Sequence, residues 1–144
     1  MPAWVSAGWD DYARRMPRDY ALELVALKPE SRGRGKPVAR MLAAEAKRIA
    51  AACKGALVVA LDEHGRSWTT RELADHIARW RDDARDVAFV IGSADGLAET
   101  VKRDAQAVVA LSAMTLPHGL VRVLLAEQLY RAACLLTGHP YHRE

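Results

Sequence analysis

The hydrophobic pattern of this chain switches repeatedly between helical and strand periods. Residues 4–16, WVSAGWDDYARRM, set Val5, Trp9, Tyr12 and Met16 on one face of a short amphipathic helix. YALELVALK (20–28) alternates apolar and polar positions before turning continuously apolar, which predicts a strand. PESRGRGKP (29–37) is a loop by its Gly, Pro and Ser content, and an alanine-rich helix follows from Val38 to the region of Cys53. ALVVALD (56–62) and VAFVIG (87–92) are short and apolar throughout, as interior parallel strands are. Between them, TTRELADHIARWRDDA (69–84) opens with Thr69 and has Glu72 three residues later, a capping box. LAETVKRDA (97–105) predicts a short helix and AVVALS (107–112) a last strand. The closing helix, running to Leu136, is apolar on nearly every side and must be buried, which suggests a dimer contact.

This alternation predicts one α/β domain over residues 1–144 with a mainly parallel sheet. Composition agrees: 51% apolar and 27% charged residues describe a globular chain long enough for a real core. Arg122, Glu127, Gln128 and Arg131 interrupt the longest apolar run, which argues against a membrane span. The opening residues lack the apolar centre of a signal peptide, so a cytoplasmic protein is expected. Cys53 and Cys134 have no metal-type spacing and read as buried free thiols. A net charge of +3 is compatible with an RNA partner without requiring one.

Parallel sheets bind ligands beyond the carboxyl ends of their strands. Three loops there are rich in small residues. DEHGRS follows Leu61 and begins at Asp62; GSADG follows Ile91 and holds Gly92, Ser93 and Gly96. SAMTLPH follows Leu111 and holds Ser112, Ala113, Met114, Thr115, Leu116 and Pro117. None is a phosphate-binding signature, so nucleotide cofactors of the ATP or NAD kind are poorly supported. Alone, GSADG reads as a tight strand-to-helix turn; three such loops on one sheet edge make a ligand site.

His118 and Arg122 lie one turn apart on the closing helix and project from one side of it. An arginine in so apolar a helix needs a partner or a polar site. Glu127 and Arg131, also four apart, read as a structural or dimer-forming pair, and His76 as a surface residue. The five histidines show no HxxxH, HxH or HExxH spacing, and no metal site is expected. Arg32, Arg34, Lys36 and Arg40, with Lys47 and Arg48 beyond, form a basic cluster suited to RNA phosphates, or else an ordinary solvated face. HPYHRE at the end, read by itself, is a frayed tail.

IGSADG (91–96), LSAMTLPHGLVRVLLAEQLYRA (111–132) and HPYHRE (139–144) resemble the ribosomal RNA large subunit methyltransferase H family, of the SPOUT class. MPAWV, the LD…G loop at 61–65 and ELADHIARW fall in register with it too, so the resemblance covers essentially the whole chain. It implies a trefoil-knotted parallel α/β fold and a homodimer. It further implies S-adenosylmethionine in the three loops, and methylation of N3 of a pseudouridine in large-subunit ribosomal RNA on the assembled ribosome. His118, Arg122, His142 and Arg143 would surround the target base, with Tyr141 as a stacking face and the tail serving the partner subunit's site. Pro140 favours an extended tail over a continued helix.

Two departures from the family matter. Its members usually begin with a strand of about ten residues before the match to Met1, so the first strand of the sheet is expected to be lacking. Ser93 stands where a second glycine is usual, and its side chain would crowd the cofactor or donate a hydrogen bond to it. These departures keep a non-catalytic RNA- or ribosome-binding module as the alternative. A small-molecule hydrolase is disfavoured, since no nucleophile elbow or acid pair is present.

Overall fold

The computed structural model describes every residue except Arg32, Arg34 and Glu144, and gives the backbone alone for His142 and Arg143. Three strands, β1 (Leu57–Ser67), β2 (Val87–Ile91) and β3 (Ala107–Ala110), form a parallel sheet in the order β2-β1-β3. The helices are α1 (Ala3–Arg15), α2 (Val38–Ala52), α3 (Thr70–Asp82), α4 (Glu99–Asp104) and α5 (His118–Thr137). Single 3-10 turns occupy Arg18–Tyr20 and Pro140–Arg143. Parallel neighbours cannot be joined by a hairpin, so a helix separates each strand from the next.

The alternation of side chains along each strand divides the core in two. Leu57, Val59, Phe89 and Val109 face α3 and α5, where they meet Leu73, Trp80, Leu125 and Leu129. Val58, Ala60, Val90 and Val108 face the other way, onto Ile49 of α2 and Leu97 and Val101 at α4. Both faces are therefore covered, which is why these strands read as unbroken apolar runs. Helix α1 lies against α5, with Val5 and Trp9 buried.

The structure departs from the sequence reading at four places. Residues 20–28 are no strand: after the turn at Arg18–Tyr20 the chain has no regular element until α2. A strand exists only as one side of a ladder, and no described strand forms a ladder with this segment; Leu24 and Val25 are 41% and 60% exposed. DEHGRS does not leave the sheet. Leu61 and Arg66 both oppose Val109, so residues 62–65 bulge out and β1 then resumes pairing to Ser67. His76 is not a surface residue, because its ring stacks on Trp68 at 4.0 Å and sits 5.4 Å from buried Trp80. Finally, Leu125, Leu129, Tyr130 and Cys134 of α5 are buried within one chain, against α1 and α3. The apolarity of α5 does not by itself demand a second copy.

The capping box is formed as predicted. The Glu72 amide donates to the Thr69 hydroxyl at 3.0 Å, and the Glu72 carboxylate accepts from the Thr69 amide at 3.3 Å. Thr69→Ala should lower stability by about 1 kcal/mol in urea denaturation, with the denaturant slope unchanged.

Candidate active site

The carboxyl ends of the three strands lie at one edge, and side chains bind their loops to one another. The Thr115 hydroxyl donates to the Glu63 carboxylate at 2.6 Å, joining the third loop to the β1 bulge. Within the bulge, Asp62 accepts from the His64 amide at 3.0 Å and lies 3.9 Å from the Lys102 ammonium. In the third loop the Met114 amide donates to the Ser112 hydroxyl at 2.9 Å, and the Pro117 carbonyl accepts from Val121 as α5 begins. Leu61, Leu111 and Leu116 are half-buried beneath these loops, whereas Ala113 and Met114 are exposed.

The second loop is a tight turn. The Gly96 amide donates to the Ser93 carbonyl at 2.9 Å, and Gly96 has φ +83°, a conformation that side chains disfavour. A Cβ on Gly92 would lie 2.5 Å from the Gly96 carbonyl carbon, so glycine is required there by space alone.

His118 ties this turn to α5. Its Nδ1 is 2.6 Å from the Gly92 carbonyl and its Nε2 is 3.4 Å from Arg122 Nη2. A carbonyl only accepts and a guanidinium only donates, so the neutral imidazole carries its proton on Nδ1 and accepts at Nε2. Arg122 Nε is buried and has no hydrogen-bond partner among the described residues. A buried, unpaired cationic donor is costly unless an acceptor or anion meets it. His118, Arg122, Gly92, Ser93 and Gly96 line one end of a cavity of about 1340 Å³.

Ser93 does not reserve its proton for a cofactor. Its hydroxyl donates to Glu45 Oε1 of α2 at 2.9 Å, while Glu45 Oε2 accepts from the Glu30 amide at 2.8 Å. Glu45 is the buried charged residue among the described ones, and the sequence reading passed over it. Its signal was position: it falls four residues after Met41 and four before Ile49, on the inner stripe of α2.

The tail is folded back, not extended. Gly138 ends α5 in the left-handed conformation, His139 donates to the Cys134 carbonyl at 2.9 Å, and Pro140 opens the 3-10 turn. Proline's fixed φ suits such a start as well as an extended run. The Tyr141 ring packs 4.6 Å from Tyr130, and the Arg131 guanidinium lies over it at 4.9 Å. Burial pushes the Tyr141 hydroxyl well above the usual tyrosine range, helped by its hydrogen bond to Tyr12 and the nearby Glu127 charge. The ring is thus already occupied. Tyr130 lies twelve residues beyond His118, roughly 18 Å along α5. Within one chain the tail and His118 are therefore at opposite ends of the helix.

Arg32 and Arg34, and the side chains of His142 and Arg143, lie outside the described residues. Lys36, Arg40 and Lys47 are exposed near and along α2. Arg48 departs from the expected cluster role: it pairs with Glu30 at 3.1 Å and donates to the Lys28 carbonyl at 2.9 Å. Glu127 and Arg131 form the structural pair, 2.9 Å apart and largely buried. Cys134 is a buried free thiol and Cys53 a half-buried one. Among the described residues, no three His, Cys, Asp or Glu side chains are placed to hold a metal, and no helix is long and apolar enough to cross a membrane.

A family model described as "Predicted SPOUT methyltransferase" matches residues 1–142. A protein of Bordetella avium named ribosomal RNA large subunit methyltransferase H is 56% identical over 144 residues, covering 99% of this chain and 92% of its own length. Proteins of the same name from Burkholderia multivorans and Burkholderia ambifaria are 54% identical, with the same shares covered.

Glu45→Ala would leave the Ser93 hydroxyl and the Glu30 amide without their acceptor. The expected loss of stability is about 1–3 kcal/mol in urea denaturation, with Ser93→Ala costing less because the Glu30 bond survives.

Proposed function

The chain belongs to the SPOUT methyltransferase family, and from that premise we propose that it moves a methyl group from S-adenosylmethionine to N3 of a pseudouridine in large-subunit ribosomal RNA. One observation carries the chemistry: Arg122 Nε, buried and unpartnered among the described residues, with His118 beside it on the wall of a cavity. The second loop fits the cofactor. Gly92 is confined to a bare turn, and a Cβ on Gly96 would meet nothing within 4 Å, so backbone faces open space there. When bound, S-adenosylmethionine supplies the methyl as an electrophile on a sulfonium.

The residues of this chain do the rest. A uracil-type N3 carries a proton that must pass to solvent before N3 can take the methyl, and negative charge then develops on the ring. The Arg122 guanidinium is held where it stabilises that charge, in a site whose burial strengthens the effect. His118 orients it: Nδ1 is anchored on the Gly92 carbonyl, and Nε2 takes a hydrogen bond from Arg122. Lys36 and Arg40, with Arg32 and Arg34 of the same loop, grip RNA phosphates.

The active form is a homodimer working on the assembled ribosome in the cytoplasm. Tyr141, His142 and Arg143 sit at the far end of α5 from His118, so the tail reaches a target base only in the partner's site. A two-fold dimer supplies both exchanges at once.

Arg122→Ala should lower methyl transfer to unmodified ribosomes by about a hundredfold or more, while S-adenosylmethionine affinity measured calorimetrically changes little. An unchanged rate would remove Arg122 from the mechanism. Deleting residues 141–144 should likewise abolish transfer and spare cofactor binding. Mixed dimers of the two defective chains test the exchange. Each heterodimer keeps one intact site, so an equal mixture should recover about a quarter of wild-type activity. No recovery from verified heterodimers would show that tail and Arg122 act within one chain.

A further inference from the structure

Three side-chain contacts close a ring at the carboxyl edge of the sheet. The Thr115 hydroxyl of the third loop donates to Glu63 of the β1 bulge at 2.6 Å. Three residues later, His118 Nδ1 meets the Gly92 carbonyl of the second loop, also at 2.6 Å. That loop runs into α4, whose Lys102 ammonium returns to the Asp62 carboxylate of the bulge at 3.9 Å. Each contact joins a different pair of the three loops. Neither Glu63 nor Lys102 takes part in the chemistry assigned to Arg122 and His118.

The bulge is the fixed member of this ring. β1 pairs with β3 through Leu61 before it and through Arg66 and Ser67 after it, so both its ends are held. A Cβ on Gly65 would lie 2.7 Å from the Val108 carbonyl carbon, so the bulge presses on the backbone of β3. Asp62 divides its oxygens: Oδ2 accepts from the His64 amide at 3.0 Å, and Oδ1 faces Lys102. The Lys102 and Asp62 side chains are only 21% and 18% exposed, so solvent screens the pair weakly. The Lys102 hydrogen bond to Glu99, at 2.9 Å, outweighs partial burial and, with the Asp62 charge, holds the ammonium above the ordinary lysine range.

We propose that Glu63 and Lys102 are positioning residues for the methyl donor, acting through Thr115 and Asp62 to hold the three loops at the spacing that the cofactor fits. This role rests on the reading of those loops as the S-adenosylmethionine site. Loops of small residues offer a ligand mostly backbone groups, which cannot re-aim by changing rotamer. Their mutual placement must therefore hold within about 0.5 Å. A ring closed before the cofactor arrives also spares the cost of ordering the loops on binding.

Calorimetry with S-adenosylmethionine on the full chain tests this role. Glu63→Leu and Lys102→Met should each raise Kd about five- to tenfold. Glu63→Gln, whose amide oxygen still accepts from Thr115, and Lys102→Arg, which keeps a cation for Asp62, should stay within about twofold of wild type. In methyl transfer to unmodified ribosomes, KM for the cofactor should rise with Kd while kcat changes by less than about threefold. Because both contacts belong to one ring, the double variant should lose less affinity than the product of the single losses. Wild-type affinity in either folded apolar variant would overturn the role. So would equal losses in the apolar and conservative variants, or a fall in kcat with KM unchanged. If one apolar variant does not fold, the other decides. Wild-type protein that binds no S-adenosylmethionine would overturn the proposed function as well, whereas wild-type binding that the variants keep overturns this role alone.

Discussion

Parallel pairing on both sides of β1 is the constraint on which the rest of the structure depends. A strand with two parallel neighbours forces every connection to cross over the sheet, and the crossovers are the helices that cover its two faces. It also brings three carboxyl ends to one edge, where their loops can meet. The β1 bulge at residues 62–65 serves the same edge. It lifts Asp62 and Glu63 out of the ladder, and Glu63 thereby reaches Thr115 of the third loop. A regular strand would have aimed those two side chains to opposite faces.

The turn at residues 92–96 is held from both layers. From the α2 side Glu45 accepts the Ser93 hydroxyl; from the α5 side His118 bonds the Gly92 carbonyl. Each bond is worth about 1 kcal/mol, more where one partner is charged. Together they bridge the sheet edge, so the glycine turn cannot shift without disturbing a helix on one side of it. Glu45 and Arg122, one from each helical layer, differ in their satisfaction. Glu45 accepts hydrogen bonds from the Ser93 hydroxyl and the Glu30 amide in its buried place, whereas Arg122 keeps a donor unmatched among the described residues. The carboxylate ties α2 to the turn.

What could be read in the sequence follows from how local each signal is. The capping box of α3 needs four residues, and the interior strands need only their own apolar runs; both emerge as read. Arg122 was legible because a charge in an apolar helix is anomalous without any knowledge of its surroundings. The failures all concern partners far away in the chain. Residues 20–28 carry a strand's alternation but find no ladder among the described residues. DEHGRS looks like a loop by composition, yet its last residues pair with β3, more than forty positions on. The Ser93 hydroxyl bonds Glu45, forty-eight residues earlier, a partner its own surroundings in the sequence do not announce. The tail could not be placed by its proline alone, since a φ near −65° admits a 3-10 turn and an extended run equally.

The charge balance of this chain gains its meaning only from which cations are already paired. Arg15 is bound to Asp11, Arg81 to Asp19, Arg48 to Glu30 and Arg131 to Glu127, so these four cations are already matched locally. Lys36, Arg40 and Lys47 have no such pair among the described residues and are exposed before and along α2. A net charge of +3 spread evenly would attract a polyanion weakly. Charge gathered in one place makes a stronger local field than the same charge spread evenly. Glu30 is joined to both Glu45 and Arg48. Glu30 thus couples the segment that leads into α2 to the same carboxylate that holds Ser93 beside the turn.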